Sequence, residues 1–137
     1  MTGLNSNKFQ FNNVNRVSFN AVGTIHLIQG DEESVLVEGP EDALEHVKIS
    51  QENGTVQIRL YTWYDFLFIP RSAVYTIRVK NLDAFSISGS AEMDCDSFDA
   101  GTNSFELSTS GNGRVRINAL KCDLLNVSSS GSGAIDI

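Results

Sequence analysis

Apolar and polar side chains alternate along most of the chain. Val17, Phe19 and Ala21 alternate with their neighbours, Ile25 and Leu27 keep a similar rhythm, and Val35 and Val37 resume it beyond the polar turn Gly30-Asp31-Glu32-Glu33. A period of two marks strands with one buried face. Residues Val47 to Leu60 predict a hairpin closed by Asn53-Gly54, a pair that tolerates positive φ at both turn positions. In that register Ile49 meets Ile58 and Val47 meets Leu60, while Lys48 and Arg59 share the opposite face. Pro40-Glu41-Asp42-Ala43-Leu44-Glu45 predicts one short helix, with Pro and acids in its first turn.

The second half repeats. Ser-Gly recurs at Ser88-Gly89, Ser110-Gly111 and Ser130-Gly131, at spacings of 22 and then 20 residues. Alignment on these pairs brings Phe85, Leu107 and Val127 into one column, Met93, Val115 and Ile135 into a second, and Cys95, Ile117 and Ile137 into a third. Ala91, Gly113 and Gly133 form a column of small residues. A strand, a Gly/Ser corner and another strand, repeated every 20–22 residues, predict coils of a solenoid. The expected fold is therefore all-β. Its C-terminal half is a right-handed β-helix or β-solenoid with 20–22-residue coils, and its N-terminal half holds irregular β-hairpins and the one helix. Residues 9–137 form a single domain, and 1–8 form a disordered tail.

One segment breaks the alternation. Tyr61 to Ile69 reads Tyr-Thr-Trp-Tyr-Asp-Phe-Leu-Phe-Ile, apolar on both strand faces with a single charge. Burial on one face cannot cover it, and a bare patch of this kind is unusual on a monomer. Trp63, Tyr64, Phe66 and Phe68 are therefore the candidate contacts for a partner or ligand: a subunit contact, a lid, or a platform for sugars.

The chain has 137 residues, net charge −7 and a pI near 4.6. Ten scattered Lys and Arg make no basic patch, which excludes nucleic acid and argues against docking on anionic membrane by charge. No apolar run is long enough to predict a transmembrane segment. Met1–Lys8 lacks the apolar core of a signal peptide. The chain is thus either cytoplasmic or written without its signal.

Candidate chemistry is sparse. His26 reads as a solvent-facing strand residue without a local carboxylate, and His46 as the end of the short helix; their spacing fits no metal site. Asp94, Asp96 and Asp99 read as solvated acids, because neither a calcium nonapeptide nor an EF-hand loop is present. Ser130 reads as a corner residue rather than a nucleophile. Cys122 aligns with position 100, five residues beyond Cys95. Five extended residues reach up to about 17 Å, outside disulfide range, so both cysteines are expected as free thiols. No catalytic residue, metal or cofactor is predicted.

The chain resembles the putative auto-transporter adhesin family, head GIN domain. The resemblance is carried by Phe11-Asn12-Asn13-Val14, Ile25-His26-Leu27-Ile28-Gln29-Gly30, Thr55-Val56-Gln57-Ile58, Tyr75-Thr76-Ile77-Arg78-Val79 and the serial corners at 88–90, 110–113 and 130–133. It implies a β-solenoid in the bacterial envelope or secreted, and it carries no activity or site residue across. The function expected is a non-enzymatic binding or scaffold module of the bacterial cell envelope, adhesin-like, with a glycan or surface protein as partner. Self-assembly through uncovered strand edges is the first rival. A carbohydrate-active enzyme on a β-helix is the second, disfavoured because the coil faces carry mainly Ser, Thr and Asn.

Overall fold

The alternating stretches fold as strands. In chain order they are β1 (Leu4–Gln10), β2 (Arg16–Gln29), β3 (Ser34–Pro40), β4 (Val47–Glu52), β5 (Thr55–Leu60), β6 (Val74–Val79), β7 (Ala84–Asp99), β8 (Ser104–Lys121), β9 (Leu124–Ser129) and β10 (Ala134–Asp136). The structure, a computed structural model, describes residues 4–40, 47–60, 73–101 and 104–137. Its backbone order is β1-β3-β6-β2-β7-β8-β10, with β5 also beside β2, β4 beside β5, and β9 beside β8.

β2 organises the sheet. Its Val17, Phe19, Ala21, Ile25 and Leu27 are all buried. One edge pairs in parallel with β7 from Arg16↔Ala84 to His26↔Asp94. The other edge is shared, β5 taking residues 16–20 and β6 taking 24–29, both parallel. β7 and β8 are likewise parallel and stay in step from Ala84↔Glu106 to Cys95↔Ile117. The columns aligned by the Ser-Gly offset stack as register neighbours: Phe85, Leu107 and Val127, and Met93, Val115 and Ile135.

These long strands cannot be straight. Asp99 must reach Ser104 in five Cα steps, at most about 18 Å, and Glu106 lies opposite Ala84. A straight strand from Ala84 to Asp99 would put its ends about 50 Å apart. The bend sits at the Ser-Gly corners. Gly111 has φ +82, and a Cβ there would lie 2.7 Å from the carbonyl oxygen of Gly89. Only glycine accepts both that dihedral and that approach.

The fold expectation is corrected in three respects. The described residues form one open, mixed sheet of ten strands rather than a right-handed β-helix or β-solenoid. β3 runs antiparallel to both β1 and β6, and β4 runs antiparallel to β5. An offset of 20–22 residues specifies neighbours only where the sequence repeats, and it is silent on the antiparallel wing. No helix occurs among the described residues: Pro40 ends β3 opposite Leu4, and residues 41–46 lie outside them. Residues 4–8, assigned to a tail, belong to β1. Main-chain pairing to β3 and the Lys8–Glu32 ion pair at 2.7 Å order them without an apolar side chain at most positions.

The β4–β5 hairpin has the register expected, Val47↔Leu60 and Ile49↔Ile58, with Asn53 at φ 51 and Gly54 at φ 81. A second turn, before β2, is held from a distance. Asn13 has φ 56, and the Glu33 carboxylate accepts the N–H groups of Asn13 at 3.1 Å and Val14 at 2.7 Å. The buried apolar residues make one continuous cluster inside the bends, in which Phe19 and Tyr75 meet edge to face at 4.9 Å.

Candidate functional site

Three adjacent columns cross the strands at the bend. Val22, Ser90 and Asn112 are register neighbours, as are Gly23, Ala91 and Gly113, and then Thr24, Glu92, Arg114 and Ala134. Alternation turns the middle column inward, where Gly23, Ala91 and Gly113 are buried, and the two flanking columns outward. A groove of about 590 Å³ results, continued at its far end by Ser132 and Gly133. With strands about 4.8 Å apart, its run from β2 to β10 is about 14 Å.

Between the walls the floor is main chain, because the positions of the middle column face the core. Gly23 is held there by the structure beneath it, since a Cβ would meet the Ala73 oxygen at 2.5 Å and Tyr75 Cε1 at 2.7 Å. Thr24 N–H donates to that same Ala73 oxygen at 2.9 Å, and the Tyr75 hydroxyl donates to the Val22 oxygen at 3.1 Å. Burial raises the Tyr75 phenol well above its ordinary range, so it stays neutral. At the opposite end Ser132 N–H donates to the Gly111 oxygen at 2.9 Å.

The walls are polar. Thr24, Ser90, Asn112 and Ser132 each carry a donor and an acceptor. Glu92 and Arg114 are exposed register neighbours of opposite sign, and no ion pair joins them. The next outward column, His26, Asp94, Arg116 and Asp136, again mixes signs. A smaller hollow of about 210 Å³ lies further along the strands, between Arg16, Ser18, Ser86, Glu106 and Ser108.

The residues singled out by sequence are placed as follows. Trp63, Tyr64, Phe66 and Phe68 lie outside the described residues, as does His46. The described strands that flank this aromatic segment are both paired to β2. Thr55 lies opposite Arg16, 39 residues earlier, whereas Val74 lies opposite Thr24, 50 residues earlier. His26 is half-buried, and Asp94 is its neighbour on β7, a carboxylate that local sequence did not show. Asp94, Asp96 and Asp99 are exposed. Ser130 is a corner residue, its N–H donating to the Thr109 oxygen at 2.9 Å. Cys95 and Cys122 are free thiols, and burial pushes Cys95 up to about 11, away from the reactive thiolate. Among the described residues no group of three or more His, Cys, Asp or Glu is placed to hold a metal ion, and no helix is long and apolar enough to cross a membrane.

The corner residues were legible in the sequence, but not that Thr24, Glu92 and Arg114 join them to wall a groove. The same offsets of 22 and 20 that align Phe85 also align Ser90 with Asn112 and Ser132.

Residues 13–137 match the family described as putative auto-transporter adhesin, head GIN domain. The chain belongs to that family. Several crystal structures are similar to it in fold. A putative adhesin from Parabacteroides distasonis is 17% identical with a TM-score of 0.81, over 96% of this chain and 55% of the other. A putative lipid binding protein from the same species is 16% identical with a TM-score of 0.78, over 98% and 59%. A putative adhesin from Bacteroides fragilis is 11% identical with a TM-score of 0.60, over 99% and 97%. At these identities the likeness concerns the fold. The chain spans little more than half the length of the first two. No curated protein matches the sequence.

Proposed function

We propose that this domain is a non-enzymatic, adhesin-like binding module of the bacterial cell envelope, and that the groove crossing β2, β7, β8 and β10 is its ligand face. The carrying observation is the groove itself, polar side chains in two outward columns over a floor of main chain. Membership of an adhesin-described family supports the envelope and the binding role. Opposite charges interleaved along the face suit hydrogen bonding more than proton transfer, which needs titrating groups converged on one point.

The test is adhesion of the labelled chain to intact bacterial cells and to mucin. Asn112→Trp fills the groove from an exposed wall position, and Asn7→Trp adds the same ring on exposed β1. Adhesion should fall about tenfold with the first and stay with the second, the loss expected for one or two hydrogen bonds. Equal adhesion by both variants, or none by the wild type, rejects the reading.

A second reading, self-assembly, is favoured by the β9 edge, where Leu124 is 56% and Val127 44% exposed. Edges of this kind pair with other strands. The Trp63, Tyr64, Phe66 and Phe68 segment is the other proposed contact between copies. Light scattering should show a dimer or larger species that dissociates in Val127→Lys, or in Trp63→Ser with Phe66→Ser. A monomer at high concentration rules it out.

A further inference from the structure

We infer that the ligand of this groove is an extended, uncharged, polyhydroxylated chain, an oligosaccharide of several sugars lying across the strands. The inference rests on the groove being the ligand face, as proposed above, and adds the chemical class and direction of what it holds. Three features carry it.

The first is the type of wall group. Hydroxyls and an amide, at Thr24, Ser90, Asn112 and Ser132, each donate and accept. A sugar hydroxyl does the same, so each wall group can pair with each ligand group whatever its orientation. The second is charge. Glu92 and Arg114 contribute one of each sign, and the whole chain is at −7. An anionic polymer would meet a site with no surplus of positive charge. A carboxylate and a guanidinium at neighbouring register positions can each take hydroxyl partners, as acceptor and as donor. The third is shape. The wall groups recur at the strand spacing, about 4.8 Å, close to the advance of one β-linked sugar, over a floor of main chain. Ala134 is the apolar side chain on the groove's outward columns, Ala91 being buried, and one methyl is too little to cover the tail of a lipid.

Calorimetry with cellohexaose, chitohexaose and mannohexaose tests this, with vesicles of phosphatidylethanolamine and phosphatidylglycerol as the contrasting arm. At least one hexasaccharide should bind, about tenfold or more tighter than its own disaccharide, because the longer chain gains hydrogen bonds worth about 1 kcal/mol each. Asn112→Trp and Glu92→Ala should each weaken it about tenfold, with the urea midpoint unchanged since both positions are exposed. Failure of all three hexasaccharides overturns the ligand class. If Asn112→Trp still reduces adhesion to cells, the groove remains the ligand face and only its ligand is misassigned. Vesicle binding that Asn112→Trp abolishes, without hexasaccharide binding, overturns the inference in favour of a lipid.

Discussion

The pair β7 and β8 and the pair β1 and β3 solve the same problem differently. β7 and β8 stay in step over their whole length and bend together, so that Phe85 and Leu107, then Met93 and Val115, stack inside the bend and are all buried. On β1, by contrast, Ser6, Asn7, Lys8 and Gln10 are exposed and Phe9 is half-buried. That strand is held by its antiparallel ladder to β3 and by charge: Lys8 at 2.7 Å and Arg78 at 3.6 Å flank the Glu32 carboxylate. Between the two regions Gln29 acts as a tie, its amide donating to the oxygens of Lys80 and Asp99 and accepting from Asp99 N–H. Stacked columns draw stability from area removed from water, whereas β1, at the rim of a wing whose Val35, Val37, Tyr75 and Ile77 are buried, draws most of its hold from the main chain and a screened pair. The outward columns of the stack are thereby free to be shaped by binding.

The largest expected difference is in truncation of aromatics. Phe85, fully buried, should lose about 3–5 kcal/mol on Phe85→Ala, through transfer and cavity together. Phe9→Ala should lose less than half of that, since its ring is partly in water already. Urea unfolding of the two variants gives the comparison, and equal losses would erase the distinction between stack and wing.

Glycine gives the next contrast. Gly111→Ala forces a Cβ into a left-handed dihedral against the Gly89 oxygen, at a cost of about 1–3 kcal/mol. Gly30, in the turn leading to β3, has nothing within 4 Å of such a Cβ, so Gly30→Ala should stay within about 0.5 kcal/mol of wild type. A tolerated alanine at 111 would show that the corners do not control the bend.

The smallest effect belongs to the wing's ion pairs. The hydrogen bond from Lys8, aided by the charges of Lys8 and Arg78, holds Glu32 below the ordinary glutamate value of 4.5. A carboxylate depressed by folding adds stability above its unfolded pKa, and that stability is lost as pH falls through the lower folded value. Glu32→Gln should therefore lower the urea midpoint slightly at neutral pH and converge with wild type below the ordinary glutamate range. High salt at neutral pH should narrow the same gap. A gap that widens in acid would contradict the pairing.

The sequence alone determined most of the inward-facing positions, two of the three columns and where the chain turns, although Val127 and Ile137, aligned with inward columns, are exposed. Phe85, Leu107 and Val127 could be aligned without coordinates because alternation is set by the pleat and the offset by a repeated unit, both local properties. The Asn53-Gly54 hairpin was legible for the same reason. Only the tertiary structure decided that β3 lies between β1 and β6, that the sheet is mixed and open, and that Pro40 ends a strand. Those pairings join segments whose sequences do not resemble one another, so no offset announces them. The groove belongs to this second class. Thr24 and Arg114 are 90 residues apart, and they share a wall only because β2, β7 and β8 bend at the same level. A bend shared by three strands is a property of their packing, and composition along any one of them does not contain it.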